Sequence, residues 1–135
     1  MPFAAIDHVA LACRDVRKQM EWYCAHLGMR VLATDGQMPP QGALVGYGAR
    51  PGEGAAIELI PAAVGNGSGG HLAPGQFHLA LRVADFGKAV QRRKTAGGVI
   101  ISEAVTAMGG GKLANFRDPE GNQLQIVQRL ETEAP

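Results

Sequence analysis

The sequence predicts an α+β fold made of two tandem βαβββ modules, whose strands form a curved, mostly antiparallel mixed sheet. Three observations support this fold class. Short apolar runs and amphipathic stretches occur twice in the same order, the two copies match residue for residue, and 135 residues make one average domain. We therefore expect a single domain, with module one at 4–61, a linker at 62–75 and module two at 76–129.

The first module opens with an apolar run at 6–12, which is typical of a buried strand. Asp15 follows as a helix N-cap, and Gly28 stands where a left-handed residue ends the helix. Between them, apolar residues at spacings of four, three and four predict one buried helix face: Val16, Met20, Tyr23 and Leu27. Turn residues separate the three further strands, which we place at 29–33, 43–49 and 55–60.

The second module repeats this order. A strand is predicted at 76–83, and Asp85 caps a second helix that ends at Gly97 and Gly98. The inward residues of this helix are predicted to be Phe86, Ala89 and Val90, and the segment 91–94 is predicted to be a solvated face. The three last strands are placed at 99–102, 112–116 and 122–128.

The two modules also align in detail. A shift of 70 places His8 over His78, Asp15 over Asp85 and Gly28 over Gly98, and a shift of 67 places the segment 53–58 over 120–125. Paired histidines and paired turns in the same order indicate an internal duplication rather than chance similarity.

Composition excludes several classes of partner. Lys and Arg number 13 against 12 Asp and Glu, and this balance argues against nucleic acid or an anionic membrane. No apolar run approaches the roughly 18 residues of a membrane span, and the N-terminus lacks an export signal. Two cysteines make no disulfide framework. We expect a cytoplasmic protein with a small-molecule substrate.

The duplication pairs four polar positions on otherwise apolar strands: His8 with His78, and Glu58 with Gln125. A lone histidine on such a strand is more often a hydrogen-bonded core residue than a ligand. A carboxylate buried within AAIELI, however, would cost several kcal/mol without a partner. A divalent cation bound by two imidazoles and a carboxylate removes that cost, and an amide oxygen adds a fourth ligand. The four positions are therefore candidate metal ligands.

Strand alternation adds candidates for substrate binding. Arg82 shares a face with His78, and Gln123 shares one with Gln125. Arg82 suits either an anionic substrate group or a salt bridge at the strand end. Tyr47 offers either a hydroxyl to the substrate or a ring to the core.

Three segments together resemble one known family. They are IDHVALACRDVRKQMEWYCAHLGMRV near the start, FHLALRVADFGKAV in the middle and FRDPEGNQLQIVQ near the end. The chain resembles the vicinal oxygen chelate superfamily, which includes glyoxalase, extradiol dioxygenases and bleomycin-resistance proteins. The resemblance runs from about residue 4 to 129 and implies a glyoxalase-like fold, commonly as a homodimer, around one divalent metal.

By position, the resemblance assigns the metal to His8, Glu58, His78 and Gln125. In most metal-dependent members the position of Gln125 is a glutamate tied to proton transfer. Because glutamine cannot accept a proton at neutral pH, Glu58 is the candidate catalytic base. The leading interpretation is a glyoxalase-like lyase or isomerase that moves a proton through a metal-stabilised enolate, with Mn, Fe, Co, Ni or Zn as the metal. The alternatives are a non-haem Fe(II) ring-cleaving dioxygenase and a metal-free drug-binding protein of the bleomycin-resistance type.

Overall fold

A computed structural model describes residues 2–62 and 78–130 of the chain. The backbone forms two compact units, Met1–Leu72 and Ala73–Pro135. Except for Ala62, the predicted linker at 62–75 lies outside the described residues, as do Gln76 and Phe77 of the strand predicted at 76–83. The elements of the first unit are β1 (His8–Cys13), α1 (Val16–Leu27), β2 (Arg30–Thr34), β3 (Ala43–Gly46) and β4 (Ala56–Pro61).

The second unit has the same order of elements: β5 (His78–Arg82), α2 (Phe86–Thr95), β6 (Ser102–Thr106), β7 (Lys112–Arg117) and β8 (Gln123–Gln128). Each unit is therefore one βαβββ module, as predicted. No helix in the described part of the chain is long and apolar enough to cross a membrane.

The two units have the same sheet topology. The strand order is β1-β4-β3-β2 in one sheet and β5-β8-β7-β6 in the other. In each sheet the first and last strands of the module pair in parallel, and the other pairs are antiparallel. Ala10 pairs with Glu58 as Ala80 pairs with Gln125, so the register follows the shifts of 70 and 67 found in the sequence.

Helix α1 begins and ends at the predicted caps. The Asp15 carboxylate accepts a hydrogen bond from the backbone N–H of Lys18 at 2.9 Å, and Gly28 has a φ of 72°. Val16 and Tyr23 are buried as predicted, but Gln19 takes a buried place that the apolar spacing had given to Met20. The burial of Gln19 was not predicted, because a polar residue does not form part of an apolar pattern.

In helix α2, the prediction that residues 91–94 form a solvated face is wrong at one position. Its buried residues are Phe86, Val90 and Arg93, and Arg93 is only 7% exposed. Spacings of four and three place these residues on one helix face. The Arg93 guanidinium carbon lies 5.5 Å from the centre of the Phe116 ring. This segment is therefore not wholly a solvated face, because the aromatic ring of β7 accommodates one of its cations.

The strand predicted at 99–102 is wrong in position, since β6 covers Ser102–Thr106. The turn that follows sets this register. Ala107 donates its N–H to the Gly111 carbonyl at 3.0 Å, and Thr106 pairs with Lys112. Among the apolar residues that precede β6, Ile101 donates its backbone N–H to the Asn115 carbonyl, whereas Val99 is 76% exposed.

Candidate functional site

The first unit brings together two of the predicted ligands, His8 and Glu58. They lie on the neighbouring parallel strands β1 and β4, two residues apart in register. The distance between His8 Nε2 and Glu58 Oε1 is 4.0 Å. Ala10 pairs with Glu58, and His8 lies two residues before Ala10 on β1. His8 and Glu58 are therefore diagonal neighbours on the same face of the sheet.

Glu58 is not the buried carboxylate that the sequence argument assumed. Its neighbours Ile57 and Leu59 are buried, whereas the Glu58 side chain is 45% exposed. Alternation explains the difference, because Ile57 and Leu59 point to the face covered by α1 and Glu58 to the opposite face. In each sheet, we call the face opposite the packed helix the helix-free face. Burial of Glu58 therefore gives no reason to expect a bound cation. Support for a metal site must come instead from the ligand atoms and their positions.

Asp7 orients the His8 ring, a role that the sequence analysis missed. Its Oδ2 lies 2.7 Å from His8 Nδ1. This hydrogen bond is the main cause that raises the pKa of His8 above its usual value. Burial opposes it, and the charges of Glu58 and Asp7 add to it. With its proton on Nδ1, the ring offers the lone pair of Nε2 towards Glu58. A carboxylate behind a histidine is the usual outer partner of a metal-bound imidazole.

The second unit places His78 and Gln125 in the same relation. His78 pairs with Gln123, and Ala80 pairs with Gln125, so the two residues share the helix-free face of their sheet. The Gln125 amide donates from Nε2 to Asn115 Oδ1 at 3.0 Å, which turns its Oε1 away from β7. Gln123 donates to the same oxygen at 2.8 Å.

Arg82 and Tyr47 have different surroundings. Arg82 is exposed at the end of β5, and no carboxylate of the described residues lies within salt-bridge distance of it. Tyr47 donates its hydroxyl to the Leu27 carbonyl at 2.8 Å, and partial burial raises its pKa. The Tyr47 hydroxyl therefore satisfies one of the last carbonyl groups of α1.

The predicted ligands occur as two pairs, one in each unit: His8 with Glu58, and His78 with Gln125. In the ranges 2–62 and 78–130, no group of three or more His, Cys, Asp or Glu residues is arranged to hold a metal ion. Within the first pair, the types of donor atom suit a shared ion. Two bonds of about 2.1 Å at the usual angles of about 90–109° place two ligand atoms roughly 3.0–3.4 Å apart. His8 Nε2 and Glu58 Oε1, at 4.0 Å, would therefore have to approach each other to bind one ion.

A family model described as the Glyoxalase/Bleomycin resistance protein/Dioxygenase superfamily matches residues 5–126. The chain belongs to this superfamily. It is 30% identical over 132 residues to a probable lactoylglutathione lyase of Synechocystis, which covers 90% of this chain and 92% of the relative. It is 29% identical over 130 residues to a lactoylglutathione lyase of Salmonella typhimurium, with 90% of each chain covered.

Solved structures of other proteins show the same fold. The antibiotic binding protein TnmS3 of a Streptomyces species has a TM-score of 0.74 at 21% identity, covering 96% of this chain and 99% of the other. The trypanothione-dependent glyoxalase I of Leishmania major has a TM-score of 0.66 at 24% identity, covering 93% and 87%. Because one binds an antibiotic and the other is an enzyme, the fold alone does not decide the activity.

The superfamily segment FRDPEGNQL forms the turn between β7 and β8. Asp118 is buried, and its carboxylate accepts from the backbone N–H groups of Glu120 at 2.9 Å and Asn122 at 3.0 Å. Its Oδ2 accepts from the Asn122 side chain at 2.8 Å, and Gly121 has a φ of 89°. The turn leads directly into Gln123 and Gln125. In this superfamily member, the segment is the support that sets the register of β8.

Proposed function

We propose that this protein is a metal-dependent lyase or isomerase of the glyoxalase type, acting on a small molecule with two adjacent oxygen atoms. The observation that carries the proposal is the pair of His8 and Glu58 with Asp7 behind the imidazole. Relatives at about 30% identity that are named lactoylglutathione lyases support the reaction class.

The proposed ligands are His8, Glu58, His78 and Gln125, which together would hold one divalent ion. Imidazole, carboxylate and amide oxygen suit Mn, Fe, Co, Ni or Zn. When bound, the ion supplies a Lewis acid for the adjacent oxygens of the substrate. The identical register of the two pairs supports this assignment, because each unit offers two donors on the helix-free face of its sheet.

Glu58 is the proposed base. It is the one carboxylate among the four proposed ligands, and the amide of Gln125 has no basic site at neutral pH. A carboxylate beside the substrate can take a proton from the carbon next to a carbonyl group and return it to the former carbonyl carbon. Isomerisation balances when the proton of the neighbouring hydroxyl moves to the former carbonyl oxygen. Arg82 and Gln123 lie on the helix-free face of the same unit as Gln125 and are proposed to bind polar groups of the substrate, whereas the Tyr47 hydroxyl already has a partner.

Metal content and proton exchange test this proposal. We expect one ion per chain by elemental analysis, and loss of that ion in both the His8→Ala and the His78→Ala variants. His26→Ala is the matched control, because His26 is an exposed histidine of α1 that stacks on Trp22 and does not lie on a strand. Lactoylglutathione turnover and deuterium exchange into a 2-hydroxyketone should both fall about 100-fold or more in Glu58→Gln. A wild-type protein without stoichiometric metal would refute the proposal.

One observation favours a second candidate, a metal-free binding protein. The amides of Gln123, Gln125 and Asn115 form a hydrogen-bonded surface of the kind that orients a polar ligand. A thermal-shift comparison separates the two functions, since a ligand that binds only the folded state raises the melting temperature. Stabilisation by bleomycin-like ligands, with none by divalent metals, would favour this second function. Iron-dependent oxygen uptake with catechols would instead indicate the dioxygenase.

A further inference from the structure

Asn115 lies at the centre of a chain of hydrogen-bonded side chains on the helix-free face of the second sheet. Its Oδ1 accepts from Gln125 Nε2 at 3.0 Å and from Gln123 Nε2 at 2.8 Å. Its Nδ2 donates to Ser102 Oγ at 2.7 Å. This series of hydrogen-bonded side chains thus runs across three strands, from β6 through β7 to β8, and each amide points in a defined direction.

We propose that Asn115 is the positioning residue that turns the Gln125 amide so that Oε1, the atom able to bind a metal, faces away from β7. This inference rests on the proposed function. A free glutamine side chain has several rotatable bonds and two similar amide ends, so a fixed direction must come from a neighbour. Asn115 supplies it by accepting the Nε2 hydrogen.

The first unit has an apolar residue at the position equivalent to Asn115. Leu44 pairs with Glu58 in the register in which Asn115 pairs with Gln125. Leucine has no polar atom to orient or repel a carboxylate. With the Asn115 amide in its present direction, a glutamate at position 125 would present a carboxylate oxygen to Oδ1, and two acceptors cannot form a hydrogen bond. Turning the Asn115 amide over would give up the hydrogen bond from Gln123 Nε2 to Oδ1. Positions 115 and 125 are therefore coupled, and Asn115 favours glutamine over glutamate at position 125.

Co(II) binding followed by calorimetry and visible absorption tests the coupling. We expect Asn115→Leu to weaken Co(II) binding by about 10-fold, as outer-shell substitutions commonly do. Asn115→Asp should keep wild-type affinity or exceed it, because a carboxylate can only accept from Gln125. Gln125→Glu combined with Asn115→Leu should bind Co(II) about 10-fold more tightly than Gln125→Glu alone.

Gln91→Leu is the matched control, because it removes a side-chain amide that hydrogen-bonds within α2, to Thr95 at 3.3 Å. Its Co(II) affinity and absorption spectrum should equal those of the wild type. A purely structural role of Asn115 would lower the melting temperature of Asn115→Leu without changing its Co(II) affinity, and this would overturn the inference while leaving the proposed function intact. Absence of Co(II) binding in the wild type would overturn both.

Discussion

The turn at Asp118 gives a sharp test of how the second sheet is held together. We consider Asp118→Ala, which removes three hydrogen bonds to the carboxylate, from the N–H groups of Glu120 and Asn122 and from the Asn122 side chain. Two backbone hydrogen bonds of the turn remain, from Asp118 N–H to the Asn122 carbonyl and from Gly121 N–H to the Asp118 carbonyl, both at 3.0 Å. The substitution therefore tests the carboxylate rather than the whole turn.

Burial decides the size of the effect. Asp118 is 5% exposed and Asn122 is also buried, so water cannot easily replace the lost acceptor. A hydrogen bond to a charged group contributes about 1.5–3 kcal/mol, and a buried donor left without a partner costs about 1–3 kcal/mol. The three bonds share one carboxylate and do not add fully. We expect Asp118→Ala to lower the free energy of unfolding by about 3–5 kcal/mol.

Urea unfolding followed by circular dichroism measures this loss. Asp35→Ala is the matched control, because Asp35 also accepts from two backbone N–H groups, of Gln37 at 3.1 Å and Gln41 at 3.2 Å, but in an exposed loop. Water can replace that carboxylate, so we expect a loss of about 1 kcal/mol or less. If Asp118→Ala and Asp35→Ala cost the same, the assignment of Asp118 as the buried support of β8 is wrong.

Two further predictions follow from local geometry. Gly111→Ala should destabilise the protein by about 3 kcal/mol or more, because φ is 98° and a Cβ would overlap the Gln128 carbonyl oxygen. Gly52→Ala, with φ of 85° but open space, should cost only about 1–2 kcal/mol, and equal losses in urea unfolding would contradict this account. In the metal-free protein, the His8 imidazole should titrate above 6.5 by NMR. Asp7→Asn should lower that midpoint, and an unchanged midpoint would show that the Asp7–His8 hydrogen bond is absent in solution.

The sequence predicted the features of this fold that depend on near neighbours. The caps Asp15 and Asp85 act within three residues, and both accept the expected hydrogen bonds from Lys18 and Lys88. The predicted sheet was mixed and mostly antiparallel, and the structure adds that the first and last strands of each module form the parallel pair. The shifts of 70 and 67 between the copies match the register of the equivalent strand pairs in the two modules.

Features that depend on partners across the sheet were not predictable. Arg93 appeared as part of a basic segment, and only the position of Phe116 on β7 explains its burial. Asn115 appeared as one polar residue within a strand, and its importance follows from contacts with Ser102 on one side and Gln125 on the other. The apolar composition of AAIELI likewise indicated the covered face of β4 but not that Glu58 points away from it.

The two modules show how one backbone supports two different chemical surfaces. On the helix-free face of the first sheet, Leu44 pairs with Glu58 and Ala56 precedes Glu58 by two residues on β4. Asn115 and Gln123 are the counterparts of these two residues beside Gln125. The backbone register is the same, so the surrounding side chains make the difference. The apolar Leu44 gives the Glu58 carboxylate no hydrogen-bond donor from the β3 side chain, and a base requires a carboxylate that is not so bonded. The amide groups around Gln125 instead fix the direction of its neutral amide oxygen, which is a candidate metal ligand. Because the equivalent of each residue is known, exchanging positions 115 and 125 for their counterparts tests whether the surroundings, and not the fold, decide which module supplies the base.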